Sequence, residues 1–305
     1  MIIQIFNIFF EILLPVFAVI AFAAYSNRYL KIDPKLLSKL NVYLFNPFMV
    51  LLSLSISDLQ KGELFTITVM AVGSSVLLIL IGTGLAKLLK LSHETQIAFV
   101  MSIFLANTGG MGFSLTQFAF GDDGLQRAIF FFAVVQTICN PVAIFLASSG
   151  NGSTRESLKT MLKNPVVYAS IIGILMYILN IKMPLPLERF STILAQAVIP
   201  TALFLLGIQL SNIQLRKDLG KVFLASSIRL ILAPLIGFGL AALIGISGLA
   251  YKASIMQISM PTGMFVTVYV TEFGGDAQFS AKVAFITTLG SILTLGGLIY
   301  YFSVI

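Results

Sequence analysis

The fold is decided by two short stretches in which glycine or proline interrupts an apolar run. They read IFLANTGGMG over residues 103–112 and IMQISMPTGM over residues 255–264. Glycine in a helix interior costs about 1 kcal/mol relative to alanine, and proline costs about 3 kcal/mol. The first stretch holds three glycines within four positions and the second holds Pro261, so we expect two helices that are broken partway along their length.

The two stretches are related by an internal repeat. A shift of 153 residues places Gly110 on Gly263, and the same shift places Pro47 on Pro200. One shift without gaps covers most of the chain. Residues 1–152 and 153–305 are therefore predicted to be two copies of one unit, a pattern typical of secondary transporters when the chain is very apolar.

The composition predicts a membrane protein. Hydrophobic residues make up 58% of the 305 residues, charged residues 10%, and the mean hydropathy is +0.99. A soluble domain has about 25% charged residues, so we expect the bilayer to be the solvent. The net charge of +7 is scattered over short loops, which favours a basic membrane face over nucleic-acid binding.

The chemistry-bearing residues argue against an enzyme. Cys139 and His93 are each the sole residue of their type. A lone cysteine forms no disulfide within the chain, and neither residue builds a metal site or a hydrolase centre deep in the membrane. No nucleotide-binding Walker motif is present, so we expect no cofactor and no direct use of ATP.

Apolar runs of about 17–25 residues predict an all-α polytopic protein with ten membrane spans. Five spans per copy is an odd number, so the copies must cross the membrane in opposite senses and form an inverted repeat. The linker between them is predicted at residues 149–164, with Gly150, Asn151, Gly152 and Ser153 at its centre. The predicted spans are 4–25, 36–57, 64–88, 94–119, 124–148, 165–181, 189–211, 221–245, 249–272 and 278–303.

The distribution of Lys and Arg sets the expected orientation, because cytoplasmic loops are enriched in positive charge. The loops that follow the odd-numbered spans carry the larger set of Lys and Arg and are therefore predicted to be cytoplasmic. Both termini are then predicted to lie on the outer side of an inner or plasma membrane. The larger set is Arg28, Lys31, Lys35, Lys39, Lys87, Lys90, Arg155, Lys159, Lys163, Arg216, Lys217, Lys221 and Lys282. The opposite side carries Lys61, Arg127, Lys182, Arg189 and Lys252.

The two breaks predict a binding site for an anion. A half-helix that starts after a break directs free N–H groups and a positive dipole end towards the membrane centre. Two such ends would meet where the broken spans cross, and a carboxylate there would accept several hydrogen bonds. The site is predicted to comprise the side-chain donors and the unwound backbone of Asn107, Thr108, Gly109, Gly110, Pro261, Thr262, Gly263 and Met264.

Arg229 lies inside the eighth predicted span, where a charge is costly and should face the protein interior. We interpret it as a fixed cation near the crossing, which replaces a bound cation or helps to hold the anion; the alternative is an arginine that snorkels to a carbonyl or lipid phosphate. Its candidate partners are Gln136, Ser74 and Ser227. Glu11, in the first span, is a candidate to carry a coupling proton.

Four segments resemble the auxin efflux carrier family, which includes plant auxin carriers and bacterial permeases for small organic acids. The resemblance covers all ten spans at low identity, with Ala106 standing where plant carriers have proline. The matching segments are Asn107-Thr108-Gly109 with Gly112 and Phe120-Gly121-Asp122, Met260-Pro261-Thr262-Gly263, Ile228-Arg229-Leu230 with Pro234, and Val135-Gln136-Thr137.

The resemblance implies a fold and a mechanism. Spans 1, 2, 6 and 7 would form a scaffold (about 1–60 and 165–213) through which the protein forms a homodimer. Spans 3–5 and 8–10 would form a transport domain (about 61–148 and 218–305) that moves like an elevator, with helices 4 and 9 crossed as in sodium/proton antiporters and bile acid symporters.

These observations favour a secondary transporter of a small organic anion, a mono- or dicarboxylate, with auxin-like acids among the candidates. Two alternatives stay open. One is a sodium- or proton-coupled carrier of the bile acid symporter or antiporter type, against which the scarcity of acidic residues near the breaks argues. The other is a membrane sensor that transports nothing.

Overall fold

Helices make up most of the part of the chain that the structure describes. A computed structural model describes residues 2–56, 59–139, 165–211, 213, 219–263, 265–272 and 274–304. One antiparallel β-bridge, between Ala106 and Thr262, occurs within those ranges. The predicted linker at 149–164 and Met264 lie outside the described residues.

Six helices of this part are long and apolar enough to cross a membrane. A shorter apolar helix, Pro165–Ile178, lies between the third and fourth of them. We number the helices in chain order together with those on either side of each break. They are α1 (Ile8–Leu30), α2 (Pro34–Ser55), α3 (Lys61–Leu88), α4 (His93–Phe104), α5 (Phe113–Val134), α6 (Pro165–Ile178), α7 (Leu185–Leu210), α8 (Leu219–Ile244), α9 (Gly248–Ile258), α10 (Phe265–Glu272) and α11 (Ala277–Val304).

The predicted turn at Phe120-Gly121-Asp122 bends α5. Gly121 has φ 71° and ψ −168°, a conformation that a residue with a Cβ rarely adopts. The helix therefore changes direction there, at the end of the fourth predicted span. The arrangement of ten spans as an inverted repeat stays a prediction.

Proline explains most of the π-helical turns that interrupt the long helices. Four of the turns end two residues before a proline: Ile8–Leu13 before Pro15, Asn41–Phe45 before Pro47, Val135–Cys139 before Pro141, and Ile228–Leu232 before Pro234. A proline ring clashes with the carbonyl one turn earlier and offers no N–H. Widening that turn relieves the clash.

Two groups of helices pack closely. In the first group α1 packs against α7 and α2 against α6. The contact of α1 with α7 depends on Gly207, since an added Cβ would lie 2.2 Å from the carbonyl oxygen of Ile20. In the second group α3 packs against α4, α8 and α9, and α9 against α5.

The two broken helices lie in the second group and face the first. The Thr108–Gly112 turn contacts α7, and an ideal Cβ on Gly110 would lie 3.5 Å from the Cβ of Ala202. The fold therefore places the interruption of one group against a helix of the other.

Candidate functional site at the helix crossing

The two interrupted helices meet and pair through their unwound backbone. Helix α4 ends at Phe104 and α9 at Ile258. We call the intervening segments, residues 105–107 and 259–263, the crossing. The Asn107 N–H donates to the Pro261 carbonyl over 2.8 Å, and the Gly263 N–H donates to the Leu105 carbonyl over 2.7 Å. This pairing satisfies backbone groups that the interrupted helices leave without intrahelical partners.

Gly263 permits the close approach of the two segments. A Cβ at this position would lie 3.0 Å from the Ala106 carbonyl oxygen and 3.3 Å from that of Leu105. Real side chains rarely approach a backbone so closely. The glycine of the second stretch therefore serves packing across the crossing.

Thr262 fastens the crossing to two other helices. Its hydroxyl donates to the Ser102 carbonyl of α4 over 2.8 Å, and its backbone N–H donates to the Thr287 hydroxyl of α11 over 3.1 Å. Thr262 is fully buried. In this arrangement the Thr262 hydroxyl therefore donates its hydrogen to the Ser102 carbonyl.

Within the described part of the crossing, Asn107 has a side-chain amide nitrogen without a partner. It is 9% exposed, and its Nδ2 atom has no hydrogen-bond partner among the residues that the structure describes. The residue lies just before the Thr108–Gly112 turn, whose first N–H groups have no preceding helical turn to bond. A buried amide without a partner costs about 1–3 kcal/mol, so a ligand that accepts its hydrogen bond would recover this free energy.

Gly109 and Gly110 lie at the start of the Thr108–Gly112 turn. A Cβ on Gly110 would lie 2.8 Å from Oδ1 of Asn107, so a larger residue there would collide with the asparagine amide. Thr108 is buried beside them. Asn107, Thr108, Gly109 and Gly110, the site residues predicted from the first stretch, therefore lie together at the amino end of α5.

Arg229 binds the carboxyl ends of both interrupted helices. It is 1% exposed and lies in the Ile228–Leu232 π turn of α8. Its Nη1 atom donates to the carbonyls of Ile103 over 2.9 Å and Phe104 over 3.4 Å, at the end of α4. Its Nη2 atom donates to the Ile258 carbonyl, at the end of α9. One guanidinium therefore spans the two negative dipole ends.

The remaining predicted support residues occupy different surroundings. Ser74 donates to the Met70 carbonyl of its own helix over 2.7 Å, and Gln136 is partly buried in the Val135–Cys139 turn. Ser227 is exposed on α8, and Glu11 is exposed on the first span. The described partners of the Arg229 guanidinium are backbone carbonyls and not these side chains.

Gln257, on α9 just before the crossing, is a polar residue that the sequence interpretation missed. It is fully buried on α9, and its Nε2 atom donates to the Thr116 hydroxyl of α5 over 3.0 Å. Its Oε1 atom has no partner within the described ranges. A Cβ on Gly112 would lie 2.5 Å from that Oε1 atom. The signal was present, since Gln257 is a polar residue within the quoted stretch one turn before the break.

Curated relatives of this chain are named as transporters. An uncharacterised transporter of Methanocaldococcus jannaschii is 28% identical over 276 residues, covering 86% of this chain and 87% of the relative. An uncharacterised transporter of Methanothermobacter thermautotrophicus is 24% identical over 267 residues, with the same coverage. A putative malonate transporter of Rhizobium meliloti is 26% identical over 202 residues, covering 64% of this chain and 63% of the relative.

A family model for membrane transport proteins matches the chain twice, over residues 8–157 and 149–299. The matches together span nearly all of the sequence and include both interrupted helices. This chain therefore belongs to the membrane transport protein family, the auxin efflux carrier family that its motifs resemble.

Proposed function

We propose that this protein is a secondary transporter of a small carboxylate, which binds at the crossing between Asn107 and the amino ends of the two second half-helices. That the protein is a membrane transporter follows from its family. The carboxylate, the site and the mode of movement are our proposal. The observation that carries it is the unpartnered amide of Asn107, 9% exposed, at the start of the Thr108–Gly112 turn.

The electrostatics of the crossing support an anion. Four helix ends meet there, and each carries a partial charge of about half an elementary charge. Arg229 neutralises the two carboxyl ends through the carbonyls of Ile103, Phe104 and Ile258. The amino ends before α5 and α10 keep their positive charge, so an anion is the ligand that balances the site.

The chemistry of the donors favours a carboxylate. Asn107 offers an amide N–H and the Thr108–Gly112 turn offers backbone N–H groups, all of which donate to carboxylate oxygens. One relative is named a putative malonate transporter. Malonate is therefore the first dicarboxylate to test, beside monocarboxylates of similar size.

The packing supports an elevator movement. The group that contains α1, α2, α6 and α7 would be the scaffold, and the group that contains the crossing would be the transport domain. The turn that binds substrate contacts α7 of the scaffold, where Gly110 faces Ala202. Sliding of one group past the other would expose the Thr108–Gly112 turn first to one side of the membrane and then to the other. We further propose a homodimer through the scaffold, in an inner or plasma membrane with both termini outside the cytoplasm.

Uptake into proteoliposomes tests the function. Purified protein is reconstituted, and the accumulation of radiolabelled malonate and of small monocarboxylates is measured under an imposed membrane potential. We expect at least one carboxylate to accumulate above protein-free liposomes, and excess unlabelled carboxylate to compete. A protein that binds a carboxylate but passes none would be a sensor and would contradict transport. A protein that neither binds nor passes any carboxylate would contradict the proposed substrate class.

A further inference from the structure

Arg229 is a buried cation whose described partners are uncharged. It is 1% exposed, and its guanidinium donates to the carbonyls of Ile103, Phe104 and Ile258. The ion pair seen among the described residues lies elsewhere, between Arg127 and Glu63. A buried charge is costly unless other charges or dipoles compensate it. In the described part of the chain, the compensation for Arg229 comes from the helix ends.

The charge of the two helix ends fits one monovalent cation. Each carboxyl end carries about −0.5 elementary charge, so the ends of α4 and α9 together carry about −1. The carbonyl oxygens there form a cluster of the kind that coordinates a small cation. The guanidinium fills this cluster with N–H donors and matches its charge.

The second half of the internal repeat carries Arg229, and the first half has no cation at the equivalent position. The residue equivalent to Arg229 in the first half is Val76, which is 45% exposed on α3. The helical frame therefore does not require a charge at this position. A single Arg reaches the ends of both broken helices, so one cation serves the whole crossing.

We propose that Arg229 is a built-in substitute for a bound monovalent cation, so that the crossing assembles without an alkali metal ion. Removing the side chain would leave a vacant site of carbonyl oxygens that takes a free guanidinium ion. This inference extends the proposed function by assigning how the site is completed. Its test measures protein stability, so it succeeds or fails independently of which substrate is carried.

The first measurement is thermal unfolding of the purified full-length protein in detergent. We expect the wild-type midpoint to be the same in sodium chloride, lithium chloride and choline chloride at equal ionic strength. The Arg229→Ala variant should unfold several degrees lower, and millimolar guanidinium chloride should restore at least half of that loss. Urea at the same concentration has the same shape without the charge and should restore nothing.

A matched control comes from the same helix. Ser226 is buried one turn from Arg229 and donates to the Val222 carbonyl of its own helix over 2.8 Å. Ser226→Ala should unfold near the wild-type midpoint and should not respond to millimolar guanidinium. A wild-type protein that is stabilised by sodium over choline would overturn the proposal, and so would an Arg229→Ala variant that guanidinium does not rescue.

Two further variants decide the matter if Arg229→Ala does not fold. Arg229→Lys keeps the charge, whereas Arg229→Gln keeps hydrogen-bond donors without the charge. We expect the lysine variant to fold and to retain the larger share of stability in the absence of sodium. A glutamine variant as stable as the lysine variant would show that the charge is not needed and would overturn the proposal.

Discussion

The backbone N–H of Asn107 donates to the carbonyl oxygen of Pro261 across 2.8 Å, so the residue that we propose binds substrate is positioned by the second half of the chain. The reciprocal bond from Gly263 to Leu105 completes the pair. Neither half forms this site alone. Changes on one side of the crossing are therefore expected to disturb binding on the other side.

Enlarging Gly263 should separate the paired segments. Gly263→Ala places a Cβ 3.0 Å from the Ala106 carbonyl oxygen, and overpacking of this kind costs about 1–3 kcal/mol. The free energy of unfolding in mixed micelles measures the effect. The control is Gly239→Ala on α8, where an added Cβ has no atom within 4 Å. That variant should be as stable as wild type or slightly more stable, since alanine favours helix by about 1 kcal/mol over glycine. Equal losses in both variants would contradict the tight approach.

The hydrogen bond between Gln257 and Thr116 should show strong coupling. Gln257→Leu and Thr116→Val alone each leave a buried polar group unpaired, which costs about 1–3 kcal/mol. The double variant removes both groups and should cost less than the sum of the single changes. A double-mutant cycle on the free energy of unfolding measures this difference. Additive losses would mean that the 3.0 Å contact does not bind α9 to α5.

The predicted orientation can be tested with single cysteines. Cys139 is the one cysteine of the sequence, so a Cys139→Ala background has no thiol for the reagent to label. In intact cells a membrane-impermeant maleimide should label Lys61→Cys, on the predicted outer side, and should not label Lys35→Cys until the cells are opened. Both positions are exposed. Labelling of Lys35→Cys but not of Lys61→Cys in intact cells would show that the topology is the reverse of the predicted one.

The breaks were predictable from sequence because glycine and proline act on the backbone directly. The helices stop at Phe104 and Ile258, within the two quoted stretches. The pairing register was not predictable, since the partner of Asn107 depends on how two distant segments dock. The sequence indicated a buried Arg229, but its carbonyl partners follow from the same docking.

Side-chain direction on a helix was the weaker part of the interpretation. Ser227 was expected to support the site, yet it is exposed and its neighbour Ser226 is buried. One residue turns the direction by about 100°, and an apolar span with lipid on one side gives little signal to fix the phase. Gln257 was overlooked for the same reason, because a single polar residue does not reveal which helix it faces.

The central claim, that Asn107 holds a carboxylate at the crossing, is tested most directly by calorimetric titration of the carboxylate that the carrier accumulates best. Its affinity is compared for wild type, Asn107→Ala and the control Ser75→Ala, a buried serine that donates to Ala71 of its own helix. A hydrogen bond to a charged group contributes about 1.5–3 kcal/mol, so Kd should rise about tenfold or more in Asn107→Ala and stay unchanged in Ser75→Ala. An Asn107→Ala protein that binds the carboxylate as tightly as wild type would contradict the account.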